Sequence, residues 1–345
     1  MQNEKCLVRV DLTAVPASLQ VMHWHPQGCA NIQRITASHQ GRITKLFEIL
    51  TQNILPVFSI MVLGFAMGSA HFVSKSEATT VNRIAFMVLQ PALIFPLVNG
   101  VDLSGFHTDA ILLYAAAQAI VFCLTLAVCL YVMRCTFLEA WLLAMATVFV
   151  NSLLYIWPIS SLIYGTEGNF PITALVVWDS TITFAFFIIT TDLFANKEQS
   201  LRSSALRLLK NPVLIAIFLG ITTNLLGLSA SKPLLVAFQF AGAAAAPLTL
   251  FALGVILSGH SLIPNSKVTL LSAIKLMVLP VAVLITLSIG ERPIVWDEMV
   301  LLNAAGPSGA MAFALATLYK VRTDTIAPVI IWTSVLSLFS LAWLA

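Results

Sequence analysis

Hydrophobic spans punctuated by proline and glycine occur twice along this chain, the second set roughly 155 residues after the first. Pro56 and Gly64 are matched by Pro212 and Gly220, Pro91 in PALIF by Pro247 in PLTLF, Tyr164 by Tyr319 and Trp178 by Trp332. Each copy holds five spans. An odd number obliges the second copy to enter a bilayer upside down relative to the first. The expected fold is therefore an all-α membrane protein of ten helices in two inverted five-helix repeats.

Composition agrees. The chain is 59% hydrophobic and 10% charged, with a mean hydropathy of +0.94, outside the range of soluble domains. Charged residues leave uncharged runs of roughly 18–26 residues, enough to cross a hydrocarbon core as helix. The ten spans are expected at 49–71, 81–100, 110–133, 140–164, 172–193, 211–228, 233–258, 268–289, 297–319 and 325–345. In lipid every backbone amide has to be bonded internally, so helix is the default. Pro56, Pro91, Pro96, Pro158, Pro247, Pro280, Pro307 and Pro328 fall within these spans. A proline in the first turn costs little, and one in mid-span is expected to kink or break its helix.

The organisation expected is a polar tail at 1–48, a first repeat at 49–193, a basic linker at 194–210 and a second, inverted repeat at 211–345. The tail lacks an apolar core and is no secretory signal. It reads as a disordered segment or an extension from an upstream start site, and the pair His23 and His25 is too isolated to make a metal site. Lysine and arginine set the orientation. With the first helix starting outside, the inward loops carry Lys75, Arg134, Lys197, Arg202, Arg207, Lys210, Lys267, Lys320 and Arg322, and the outward loops only Lys232 and Arg292. Both termini then face the periplasm or outside. Lys5, Arg9, Arg34, Arg42 and Lys45 in the tail are the contrary signal. The net charge of +3 is small and dispersed, which argues against nucleic acid as a partner. Cys6, Cys29, Cys123, Cys129 and Cys135 are odd in number and read as thiols rather than a disulfide framework.

The segments NPVLIA at 211–216, PALIF at 91–95, APLTLFALGVIL at 246–257, KLMVLP at 275–280 and AAGPSGAMAFALATLY at 304–319 resemble the auxin efflux carrier family, whose bacterial members include carriers of malonate and other organic acids. The resemblance runs from about Asn53 to the end. It implies that the fourth helix of each repeat, hence helices four and nine, is broken, and that the two breaks cross near the membrane centre. It also implies a scaffold and a transport domain that move past each other like an elevator. VFVNSLLYIWPIS at 148–160 matches the family's first crossover, with Asn151 and Pro158 at its asparagine and proline. Ile156 stands where the family has glycine, which implies a reshaped pocket.

A helix broken at mid-membrane exposes amide N–H groups at the start of its second half, and these hold an anion without a fixed cation. Asn151, Pro158, Gly306, Pro307 and Ser308 are the expected substrate-binding positions, with side-chain donors from Asn151 and Ser308. Asn303, one turn before Pro307, is a candidate cap for the broken carbonyls, and Gln90 a further candidate to reach substrate. The alternative for Asn151 is a hydrogen bond to a neighbouring helix. Asp179 lies deep within a span, where an ionised carboxylate costs about 2.5–3.5 kcal/mol or more. It is either a proton- or cation-coupling group or a structural acceptor from Thr181, Thr183 or a neighbouring helix. Lys275 is a second coupling candidate that also has the option of snorkelling to the interface.

No His, Cys or carboxylate cluster has metal-ligand spacing, and no P-loop is present, so no cofactor, metal or ATP-driven mechanism is expected. No catalytic pair stands within the spans, and an enzyme is not expected. The reading is a secondary transporter (a permease) of the cell inner membrane, embedded in the lipid bilayer and compatible with a homodimer. It would move a small organic anion, such as a mono- or dicarboxylate, by alternating access, driven by protons or the membrane potential. A sodium-coupled symporter of the bile-acid type and a non-transporting membrane sensor on the same fold are the alternatives. A sensor would lack an accessible cavity at Asn151 and Ser308.

Overall fold

The computed structural model describes residues 46–101, 105–195, 208–228, 230–260 and 263–344. The expectations placed on residues 1–45, including His23, His25, Cys6 and Cys29, lie outside the described residues, as do Lys197, Arg202, Arg207 and most of the basic linker. The described residues are helical, apart from loops and one isolated β-bridge. In chain order the helices are α1 (Leu46–Ser69), α2 (Lys75–Asn99), α3 (Thr108–Val132), α4 (Phe137–Val148), α5 (Ser152–Gly165) and α6 (Phe170–Ala195). They continue as α7 (Pro212–Leu225), α8 (Lys232–Leu257), α9 (Ser266–Leu287), α10 (Ile294–Ala304), α11 (Met311–Leu318) and α12 (Ile326–Leu344). Seven of them, α1, α2, α3, α6, α8, α9 and α12, are long and apolar enough to cross a membrane. Helix α1 already includes Leu46 and Phe47, which fall inside the segment expected to be tail.

Most of the mid-span prolines do not break their helices. Four of the wider π turns, Leu50–Ile54, Ala85–Leu89, Ser152–Ile156 and Ile274–Val278, each end two residues before a proline, namely Pro56, Pro91, Pro158 and Pro280. A proline ring collides with the carbonyl four residues back and supplies no N–H. A wide turn just ahead of it moves that carbonyl aside and lets the helix continue. Pro247 behaves as expected of a breaker: α8 is interrupted by a turn at Ala243–Ala244 before resuming at Ala245.

Packing follows small residues. Helix α1 lies along α8 and α2 along α7, with α8 also crossing α2. A Cβ on Gly64 would overlap the Phe251 carbonyl, and one on Gly254 the Met61 carbonyl, so α1 and α8 touch backbone to backbone. On the partner pair, a Cβ on Gly220 would stand 2.9 Å from Val98 Cβ and 3.3 Å from the Phe95 carbonyl. The remaining helices pack mainly among themselves: α3 with α4 and α9, α10 with α6 and α9, α11 with α4, and α12 with α9. Helix α4 is the innermost, buried at every position from Glu139 to Val148. At a rise of about 1.5 Å per residue it spans about 18 Å, too short to cross a bilayer alone.

Loop contacts sort to two ends. Arg322 pairs with Glu139 at 3.2 Å, and Lys267 approaches the Cys135 thiol at 3.7 Å. At other loops Arg292 stands 3.4 Å from Asp109 and 3.3 Å from Asp297, while Asn224 ties α7 to the carbonyls of Asn99 and Val101. Ser74 and Glu77 form a capping box at α2, and Asn211 and Asn265 cap α7 and α9. Cys123, Cys129 and Cys135 are free thiols.

Candidate functional site

Helix α4 stops at Val148, where Phe149 turns extended (φ −80, ψ 106), and helix resumes at Ser152. Helix α10 stops at Ala304, and helix resumes at Met311. The two interruptions lie against each other. Val150 and Ser308 form an antiparallel bridge, the Asn151 N–H donates to the Pro307 carbonyl at 3.1 Å, and the Gly309 N–H donates to the Phe149 carbonyl at 2.8 Å. The composition explains why chain can pair here. Pro307 has no N–H to leave unbonded, and glycine keeps side chains out of the seam: a Cβ at 309 would stand 2.7 Å from the Phe149 ring and 3.2 Å from the Val150 carbonyl. Gly306 faces Ile156, whose side chain fills the space that a Cβ at 306 would need. The bulk of Ile156 thus fits against a glycine of the other break.

The bridge uses some of the amides that broken helices leave over, and the Ser308 N–H is taken by Thr333 Oγ1 at 3.1 Å. Those in the next turn remain. The N–H groups of Ser152, Leu153 and Leu154 in α5, and of Ala310 and Met311 at the start of α11, find no carbonyl acceptor among the described residues. All five residues line one cavity of about 490 Å³. Its other walls come from α2 (Thr79, Asn82, Arg83, Phe86, Gln90), α6 (Asp179, Ser180, Phe184) and α7 and α8 (Asn211, Thr249, Leu250, Leu253). Both helix starts therefore turn the positive ends of their dipoles toward a shared space.

Asp179 is buried and held by four donors. Its Oδ2 accepts from Ser152 Oγ at 2.8 Å and Tyr114 Oη at 3.3 Å, and its Oδ1 from Gln118 Nε2 at 3.1 Å and Thr183 Oγ1 at 3.3 Å. Thr181, one of the expected partners, instead donates to the Val177 carbonyl at 2.6 Å. Tyr114 Oη accepts from Asn303 Nδ2 at 3.1 Å, and Gln118 also donates to the Val148 carbonyl at 3.1 Å, so this network reaches the ends of both interrupted helices. Lys275 does not snorkel. It is wholly buried, and its Nζ donates to the Ala304 carbonyl, the last of α10, at 2.8 Å. A cation there meets the negative end of a helix dipole. Lys275, not Asn303, bonds the Ala304 carbonyl.

Of the expected substrate-binding residues, Asn151 and Gln90 line the cavity and Ser308, Gly306, Pro307, Asn303 and Pro158 do not; of the two coupling candidates, Asp179 lines it and Lys275 does not. Asn151 makes no side-chain hydrogen bond to the described residues, so the alternative of a tie to a neighbouring helix is not what the structure has. Gly306 and Pro307 instead shape the seam. Arg83, Asn82, Thr79, Ser152 and Asn211 were not singled out from sequence. Arg83 carried a signal all the same, as a cation two residues inside an expected span.

A family model described as membrane transport protein matches residues 49–344. An uncharacterized transporter of Methanothermobacter thermautotrophicus is 27% identical over 305 residues, covering 86% of this chain and 97% of the relative. A protein of Rhizobium meliloti provisionally named a malonate transporter is 26% identical over 301 residues, covering 84% of this chain and 92% of the relative.

Proposed function

The chain belongs to the membrane transport protein family, that of the auxin efflux carriers, and from this premise we propose that it is a secondary transporter carrying a small organic anion across the cell inner membrane by alternating access. The observation that carries the reading is the set of unbonded amides at the starts of α5 and α11, whose residues line one cavity with Asn151. Such N–H groups stabilise a carboxylate in a low dielectric without the desolvation cost of a buried lysine or arginine. The substrate is a mono- or dicarboxylate, a class that includes the malonate of the Rhizobium relative's name.

The ten-span reading joins α4 to α5 and α10 to α11 as the discontinuous helices of two inverted repeats, at 49–193 and 211–345. Two contacts support it. Gly64 meets the carbonyl of Phe251 and Gly220 that of Phe95, and the sequence repeat equates Gly64 with Gly220 and Phe95 with Phe251. An elevator-like movement is supported by the seam on which the cavity lies: α2, α7 and α8 wall one part of it, and α5, α6 and α11 the rest. The lysine and arginine distribution supports both termini outside. Asp179 is the coupling group, accepting and releasing a proton, while the membrane potential contributes about 2.3 kcal/mol per charge per 100 mV to anion export.

The test is uptake and efflux of labelled organic acids in proteoliposomes under imposed pH, sodium and voltage gradients. Transport that follows the pH or voltage gradient supports the reading, and a strict sodium requirement would replace it with a sodium symporter. A purified protein that moves no organic acid under any gradient would overturn it in favour of a sensor.

A further inference from the structure

We infer that Arg83 is a substrate-recognising residue of the cavity and that the preferred anion carries two carboxylates, one held by the amide ends of α5 and α11 and the other by the Arg83 guanidinium. This rests on the transporter reading above and narrows its substrate. Thr79, Arg83, Phe86 and Gln90 recur at helical spacing along one face of α2, and all four line the cavity. Among the described residues, two formally charged side chains line it, Arg83 and Asp179. Asp179 is committed elsewhere, since each of its oxygens already accepts from two protein donors. No carboxylate among the described residues pairs with Arg83. A guanidinium in a cleft without an acid partner is a planar fork matched to a carboxylate.

The position of Arg83 adds a second argument. It and Thr79 also line a more open cavity of about 470 Å³ with Lys75, Ser76 and Thr80. Arg83 thus stands where a groove carrying a further cation meets the deeper space, on the path an anion would take inward. The amide ends belong to α5 and α11, whereas Arg83 belongs to α2, which packs with α7 and α8. A monocarboxylate can satisfy one of these poles. A short dicarboxylate satisfies both.

The experiment uses the full chain, purified, with binding of malonate and succinate compared with that of acetate and propionate, and counterflow of the same acids in proteoliposomes. The wild type should bind the dicarboxylates about tenfold more tightly or better. Arg83→Gln should remove that preference by weakening the dicarboxylates about tenfold while leaving the monocarboxylates within about threefold, and Arg83→Lys should restore part of it. Asn151→Ala should weaken both classes alike. Melting of the unliganded variants checks folding, which an exposed arginine without an acid partner should not disturb. If Arg83→Gln leaves dicarboxylate affinity unchanged, or lowers both classes equally, Arg83 has no such role although the transporter reading stands. A wild type that prefers monocarboxylates sinks the inference alone, and a wild type that binds neither class sinks both.

Discussion

Ser152, the first residue of α5, donates its hydroxyl to the Asp179 carboxylate at 2.8 Å, which fastens the helix restart to the carboxylate that lines the cavity. A proton arriving on Asp179 changes what Ser152, Tyr114, Gln118 and Thr183 can donate to, and through Gln118 the change reaches the end of α4. Asp179→Asn keeps the shape and most of the hydrogen bonds but cannot titrate. Its transport should lose its dependence on pH while retaining its dependence on voltage. Rates measured in proteoliposomes over a pH series check this, and a pH dependence that survives in the variant excludes Asp179 as the proton carrier.

Asn151 offers a cleaner separation of function from folding. Its side chain lines the cavity without bonding the described residues, and only its backbone takes part in the bridge to Pro307. Asn151→Ala should therefore melt within a few degrees of the wild type, as substitutions that remove no protein contact do. Transport should fall at least tenfold, the loss of one donor to a bound anion being worth about 1.5–3 kcal/mol. Equal rates in the variant and the wild type would show that the anion is held elsewhere.

The seam between the breaks predicts a different phenotype at Gly309. A methyl there would stand 2.7 Å from the Phe149 ring and 3.2 Å from the Val150 carbonyl, closer than such atoms pack. Gly309→Ala should stretch or open the bridge between Val150 and Ser308, costing about 1–3 kcal/mol as overpacked sites do. Transport and melting temperature should fall together, in contrast to Asn151→Ala. A companion change of Phe149 to Leu, which thins the opposing side chain, should restore part of both. No rescue would mean that the seam does not govern the site.

Much of this was legible beforehand because membranes constrain sequence severely. Apolar runs marked most helix ends to within a few residues, although α2 begins six residues before the expected start, at Lys75, and Asn151 and Pro307 marked segments that do prove non-helical. What sequence hid was three-dimensional. Pro158 was expected at a break as Pro307 was, but it follows a wide π turn inside α5, whereas Pro307 sits in a break between Gly306 and Gly309. Tyr114 and Gln118, one turn apart on α3, read as ordinary polar residues in a span until the fold brings them to Asp179. Arg83 lies near the end of an expected span, where a cation usually reaches for the interface, and only the fold brings it to the cavity. Ser308 was expected at the site from its place beside Pro307, but its amide is turned to Thr333.

Lys275 supplies the last prediction, because its surroundings separate a structural charge from a transporting one. The ammonium is wholly buried, lies outside the cavity lining, and donates to the final carbonyl of α10 at 2.8 Å. Lys275→Met retains the length and fills the same space. It removes the bond to Ala304, at a cost of about 1–3 kcal/mol for a buried carbonyl left unpaired, and it relieves the cost of burying an ammonium. These offset each other, so the variant should fold and elute as the wild type does on size-exclusion chromatography. Lys275→Glu sets a carboxylate against the negative end of α10 and should not fold. Because the ammonium fixes the last turn of α10 before the break, Lys275→Met should slow transport severalfold while leaving the preference among anions unchanged. A shifted preference would mean that Lys275 reaches the substrate in another state of the transport cycle, and an unchanged rate that the bond to Ala304 only fills a socket.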